Sequence, residues 1–197
     1  MYQNVPGTLS NDNMITTIQS LLTRLDPDIL ALAEPSYQDL DMDWQPYTLY
    51  QGYIQGGQRI RLNVLVKSNL SVKVSHWRVE VPHLIMNVCG QKLIFAYREW
   101  AKCGDQATKT MACQVERRKG FVRKWAMEKG KDKYLIGDLN FDYWNDTASQ
   151  KQLRQIKSLV VDNVVAEGWS QVVKENTRYQ NTSKSCLDQI TSGLPEI

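Results

Sequence analysis

The sequence predicts an α/β chain of the α+β kind, built on mixed or antiparallel sheet, and three observations lead there. Four strand-like segments follow one another between Ile60 and Tyr97 with no helical pattern among them, which argues against a doubly wound parallel sheet. Amphipathic helical patterns occur on both sides of that meander. Several short apolar runs end in a carboxylate, an amide or a phenol, the arrangement of buried strands that open at one rim.

In chain order, Met1 to Val5 reads as a strand, followed by the turn residues Pro6 and Gly7 and a helix cap among Ser10, Asn11 and Asp12. Met14, Ile15, Ile18, Leu21, Leu22 and Leu25 recur at helical spacing, so that helix buries one face, and Asp26-Pro27 ends it. Ile29 to Leu32 is an apolar run stopping at Glu34, and Asp39 to Gln45 is a polar, acidic surface loop. After Gly56-Gly57, Ile60, Leu62, Val64 and Val66 alternate with Arg59, Arg61, Asn63 and Leu65, a strand with one buried face. Val72 to Val81, Leu84 to Cys89 and Leu93 to Tyr97 continue as strands. Gln106 to Lys129 returns to helix, with Met111, Val115, Val122 and Trp125 on one stripe and Gly120 as a break. Tyr134 to Asn140 is a buried strand that leaves its sheet at Gly137. Gln150 to Val161 is a helix with Leu153, Ile156, Leu159 and Val160 inward. Trp169 to Val173 reads as a strand, Glu175 to Lys184 as a polar loop, and Cys186 to Ile190 as a short apolar stretch carrying Asp188.

The 197 residues are enough for one domain with a full core, spanning 1–197, and 42% hydrophobic with 23% charged residues is ordinary globular composition. No apolar run approaches the ~20 residues of a membrane span and no secretion signal opens the chain, so an intracellular protein is expected, monomeric as an isolated domain. Cys89, Cys103, Cys113 and Cys186 form no C-x-x-C pair and lie away from His76 and His83, which speaks for free thiols over zinc or disulfides. A net charge of +3 is too small to declare a nucleic-acid binder. The basic run Arg117, Arg118, Lys119, Arg123, Lys124, Lys129, Lys131 and Lys133 is a solvated helix face or, beside a phosphodiester site, a phosphate-binding patch.

The polar residues at the predicted strand ends are Asn4, Glu34, Tyr97, Asp138, Asn140 and Asp188, with Thr177 and Arg178 in a late loop. If the strands lie side by side, these converge on one rim. The set is rich in carboxylate and amide and has no Ser or Cys nucleophile with a paired base. It suits a hard cation such as Mg2+ at ~2.1 Å, keeping several waters, and attack by water on a phosphodiester.

These residues resemble the endonuclease/exonuclease/phosphatase superfamily, specifically the endonuclease domain of non-LTR retrotransposons. YQNVPG resembles its opening Asn motif, PDILALAEPSY the strand ending in the metal-binding Glu, IFAYREW the tyrosine motif, IGDLNFDYW the GD-x-N motif, and TRYQNTSKSCLDQI the TR followed by S-x-x-D. The resemblance implies a DNase I-like, four-layer sandwich of two mixed sheets flanked by helices. It implies that Glu34, with Asn4, holds Mg2+ (Mn2+ as substitute), that Asp138 orients or deprotonates the attacking water, and that Asn140 and Tyr97 bind the scissile phosphate. Arg98, Thr177, Arg178 and Ser185 would line the DNA groove. It further implies a nuclear enzyme that nicks DNA for a reverse transcriptase encoded in the same polyprotein. An abasic-site or small-molecule phosphodiesterase and a non-catalytic DNA-binding remnant are the alternatives.

The sequence departs from that family at its end, where no histidine follows Asp188 and the chain stops at Ile197. His76 and His83 read as surface or core residues, not as substitutes. A C-terminally incomplete domain is therefore expected, short of its last strand and of the imidazole that Asp188 would orient. Nucleotides downstream of Ile197 are expected to encode a Ser-Asp-His-like segment whose restoration raises nicking by ~10²-fold or more. A stop codon there, or no gain on extension, would contradict this.

Overall fold

The computed structural model describes residues 2–4, 11–33, 42–52, 62–79, 81–97, 115–116, 119–125, 127, 133–139, 141, 143–144, 151–166, 168–175, 178–180, 183–185 and 188–192. The elements, in order, are β1 (Tyr2–Asn4), α1 (Asn11–Leu25), β2 (Ile29–Ala33), β3 (Tyr47–Gln51), β4 (Leu62–Lys67), β5 (Val72–Ser75), β6 (His83–Val88), β7 (Gln91–Tyr97), α2 (119–125), β8 (Lys133–Asp138), α3 (Lys151–Ala166), β9 (Ser170–Gln171), β10 (Arg178–Gln180), β11 (Ser183–Ser185) and β12 (Asp188–Ser192). One sheet runs β1-β2-β4-β3, the other β5-β6-β7-β8-β12-β9, and β10-β11 is a separate hairpin. Both large sheets are mixed, with β1–β2 and β7–β8 parallel and the remaining pairs antiparallel.

Three apolar layers separate four layers of structure. Met14, Ile18 and Leu22 of α1 pack with Trp44 and Tyr47 on Leu30, Leu32 and Leu65, the outer face of the first sheet. Ala31, Ala33, Leu62, Val64 and Val66 meet Leu84, Met86, Leu93, Phe95 and Tyr97 between the sheets. On the far side, Ile85, Ile94 and Leu135 lie under Phe121, Val122 and Trp125 of α2 and Val160 and Val164 of α3. Each fully buried side chain of this kind contributes about 1.5–3 kcal/mol, so the period-2 and period-3.6 patterns in the sequence are what assemble the layers. The four-layer sandwich follows directly, α1 outside one sheet and α2 with α3 outside the other.

Local chemistry sets the limits of the elements. Helix α1 carries Asp12 in its first turn and Arg24 in its last, both favourable to the helix dipole. It stops where Asp26 turns left-handed (φ 40°) and donates its N–H to the Leu22 carbonyl at 3.0 Å, with Pro27 behind it. Lys67, at the end of β4, then bridges Asp26 at 3.1 Å and Asp28 at 3.2 Å.

Several sequence expectations need correction. β4 is buried on both faces from Leu62 to Val66, because α1 covers one side and the second sheet the other. β3 falls in a stretch given no strand above, since its pattern of Tyr, Thr and Gln suits an edge strand with little burial. Trp44, placed above in a surface loop, is buried beneath α1. β5 ends at Ser75, well short of Val81. Gly120 continues α2 without breaking it. Two segments of the Glu175–Lys184 loop pair as the β10-β11 hairpin. Lys133, counted with the basic patch, is buried with its Nζ 4.5 Å from the centre of the Trp169 ring.

Of the two readings given for His83, surface or core, the structure shows core. Its Nδ1–H donates to the Val81 carbonyl at 2.6 Å and its Nε2 accepts the Trp77 N–H at 3.0 Å, so the ring is held neutral by bonds to both nitrogens. Burial holds its pKa below the ordinary histidine range; His76 pushes the same way and the Val81 carbonyl opposes. The depressed value means that His83 stabilises the fold above the unfolded histidine pKa of about 6.5 and loses that contribution as the pH falls below it. The melting temperature is thus expected to drop between about pH 7.5 and pH 5, with a shallower slope in His83→Gln. An equal slope in both proteins would refute the assignment.

Gly137 has a different constraint. A Cβ there would run into the Ala96 carbonyl of the neighbouring strand, with the Ala96 carbonyl carbon 2.9 Å away, and backbone cannot move aside as a side chain can. Gly137→Ala is expected to lower the unfolding free energy by about 2 kcal/mol or more. An unchanged denaturant midpoint would show that β7 and β8 are not so close.

Candidate active site

Strand pairing brings the candidates together. β7 runs parallel to β8 with Tyr97 level with Asp138, and β12 runs antiparallel on the other side with Asp188 level with Asp138. Three strand ends therefore bring Tyr97, Asp138 and Asp188 level in one row of the sheet, about 10 Å wide at ~4.8 Å per strand. Tyr97 follows Leu93 and Phe95 in the layer between the sheets, and Asp138 follows Tyr134 and Ile136 on the same face. Both are 1% exposed, and neither is without interaction partners.

The first sheet contributes from across the sandwich. Asn4 is level with Ala33 at the end of the parallel β1–β2 pair, and Ala33 is level with Leu62. Leu62 accepts the Gly52 N–H at 2.8 Å, and a Cβ on Gly52 would lie 3.4 Å from the carbonyl of His83, itself level with Ala96. The Asn4–Ala33 end of one sheet and the Tyr97–Asp138 end of the other thus form one rim. β1 also meets β8 across the interface.

At the base of the β10-β11 hairpin, Arg178 is level with Ser185, two of the predicted groove residues. Chain connectivity puts that base beside the rim, since Ser185 precedes Asp188 by three positions. Glu34, Arg98, Asn140 and Thr177 lie outside the described residues. Glu34, Arg98 and Thr177 adjoin Ala33, Tyr97 and Arg178 in the chain, and Asn140 falls between Leu139 and Phe141, both buried under α2 and α3.

The row fits a hard cation on chemical grounds. Register pairs two acidic residue types, Asp138 and Asp188, on adjacent strands, and like charges so paired are destabilising unless a proton or cation offsets them. No cluster of three ligating side chains occurs among the described residues, which do not include Glu34. A cavity of about 290 Å³ lined by Gln19, Leu22, Asp26, Trp44 and Tyr47 opens at the other end of the first sheet, below the start of β2, and holds none of the candidates.

His83 shares the rim but faces away. Ile85, two residues on, packs under α2, and the His83 ring stacks on Trp77 and edges onto Phe121, so the sheet itself separates it from Asp138. Tyr143 and Trp144 were not among the predicted residues. The signal for them is an aromatic pair directly after GDLNFD, and Trp144 is half exposed.

No protein-family model and no curated protein matches the sequence. Solved structures do. The endonuclease domain of TRAS1, a telomere-specific non-LTR retrotransposon, matches with a TM-score of 0.61 at 14% identity, over 98% of this chain and 82% of that one. An AP endonuclease from Archaeoglobus fulgidus matches with a TM-score of 0.65 at 12% identity, over 93% and 83%. TDP2 of D. rerio, complexed with single strand DNA product, matches with a TM-score of 0.55 at 18% identity, over 96% and 81%. With its two mixed sheets, its helices on both outer faces and these neighbours, the chain has the DNase I-like endonuclease/exonuclease/phosphatase fold.

Proposed function

We propose that the protein is a divalent-metal-dependent phosphodiesterase that nicks DNA. The observation that carries this is the register that sets Tyr97, Asp138 and Asp188 level, with the Asn4–Ala33 strand end at the same rim. In that row Asp138 is the group that orients water or takes its proton, and Tyr97, with Asn140, holds a phosphate oxygen by hydrogen bond. Glu34 and Asn4, with Asp188 and Asp138 close by, would hold Mg2+ or Mn2+. The cation supplies charge stabilisation to the phosphoryl oxygens. Arg98, Thr177, Arg178 and Ser185 would serve as further phosphate-binding groups. That the similar structures include a retrotransposon endonuclease domain and a protein with a DNA product supports a DNA substrate, and a nuclear location and a reverse transcriptase in the same polyprotein are part of the proposal alone.

The similarity to an AP endonuclease favours one second reading, cleavage beside an abasic nucleotide. A marked preference for an abasic duplex over intact DNA would select it.

Supercoiled plasmid is expected to relax with protein and Mg2+ and to stay intact in EDTA. Asp138→Ala is expected to lower nicking by ~10²-fold or more. Tyr97→Phe, which deletes one hydrogen bond to a charged group, should cost about tenfold. Plasmid nicked equally by the Asp138→Ala protein would sink the reading. Salt-dependent DNA binding with no cleavage at any Mg2+ concentration would leave only the binding role.

A further inference from the structure

We infer that Trp144 is a base-stacking platform that positions the DNA strand about three nucleotides from the scissile phosphate; this rests on the DNA-cleaving reading above. Among the described residues, five large apolar side chains stand exposed. Leu25 belongs to the opposite rim, at the end of α1, and Val74 to the outer edge strand β5. Met127 lies just beyond α2. Trp144 and Val172 are 49% and 51% exposed, and the Trp144 indole N–H donates to the Val173 carbonyl at 3.3 Å.

That bond also fixes the height of the ring. Val172 donates its N–H to Ile190 at 2.7 Å, and Ile190 is level with Ile136 of β8, two residues before Asp138. Val173 continues toward the Asp138 end. Trp144 is thereby held at the height of the Asp138 end of the sheet, two strand spacings or about 10 Å across it from β8. At ~3.4 Å per base step this is about three nucleotides.

The ring is positioned before any ligand arrives. Its N–H is used by Val173, and Tyr143, which itself packs on the core beneath α2, meets it edge-to-face at 5.0 Å and 76°. A half-exposed indole held at two points loses little freedom on binding, and every base offers it a π face, so the contact favours no sequence.

The test separates stacking from both bulk and chemistry. Binding of a fluorescent oligonucleotide is measured in EDTA, and plasmid nicking is measured separately with Mg2+. Trp144→Leu and Trp144→Ala are expected to weaken binding roughly tenfold or more. Trp144→Phe, which keeps an aromatic face, should retain most of it, with all melting temperatures near the parent's. Wild-type and Trp144→Leu proteins should bind alike once an abasic residue occupies the stacked position. Nicking by the wild type together with equal binding by the Phe and Leu variants overturns the stacking role and leaves the nuclease intact. Binding that depends on the ring, with no nicking, keeps the platform and removes the enzyme. A wild type that neither binds nor nicks DNA overturns both.

Discussion

The close approach of β7 to β8 is the constraint on which the rest of the rim depends. Parallel pairing puts Tyr97 level with Asp138 only if the backbones at Ala96 and Gly137 come within a distance that admits no side chain. A slip of one residue would not merely shift the row. It would turn Asp138 to the opposite face from Tyr97, because side chains alternate along a strand. The glycine of the GD-x-N string therefore has a mechanical role, and the acid beside it owes its position to that role.

The same sheet divides two chemistries. On one face, His83, Trp77, Phe121 and the α2 layer make a closed aromatic core in which an imidazole is neutral and fully bonded. On the other, Asp138 and Tyr97 end an apolar ladder between the sheets and meet the first sheet's polar end. Separation is by orientation more than by distance, since His83 and Tyr97 lie at the same end of neighbouring strands. A histidine close to a candidate site in the sheet is still no part of it when the residue alternation points it into a dry layer.

Much of this was legible in the sequence because periodicity reports which face is buried. The stripe Met14, Ile18, Leu22 and the alternation of Leu62, Val64 and Val66 both mark surfaces that pack, and the ordered motifs at strand ends mark a rim. What escaped was set by partners distant in the chain. β4 reads as half-buried because Asn63 and Arg61 look polar, yet Asn63 is 1% exposed with its Oδ1 unpartnered among the described residues. β3 escaped because an edge strand needs no apolar pattern. The pairing of Arg178 with Ser185 escaped because a polar hairpin carries its information in register, which composition does not encode. Trp144 escaped for a related reason, as nothing local separates an exposed indole from a buried one.

Charge shows most clearly how register overrides composition. The basic run from Arg117 to Lys133 looks, in sequence, like the natural partner of a polyanion. In the fold its described members disperse: Lys119 pairs with Glu116 at 2.6 Å, Arg123 and Lys124 face outward from α2, and Lys133 is buried against Trp169 at the far end of β8 from Asp138. Helix α2 covers the outer face of the second sheet, whereas Tyr97 and Asp138 belong to its inner face and its rim. The base of the β10-β11 hairpin, where Arg178 is level with Ser185, adjoins that row along the chain. Counting lysines along the chain does not lead to that rim; following the hydrogen-bond register from Asp138 outward does.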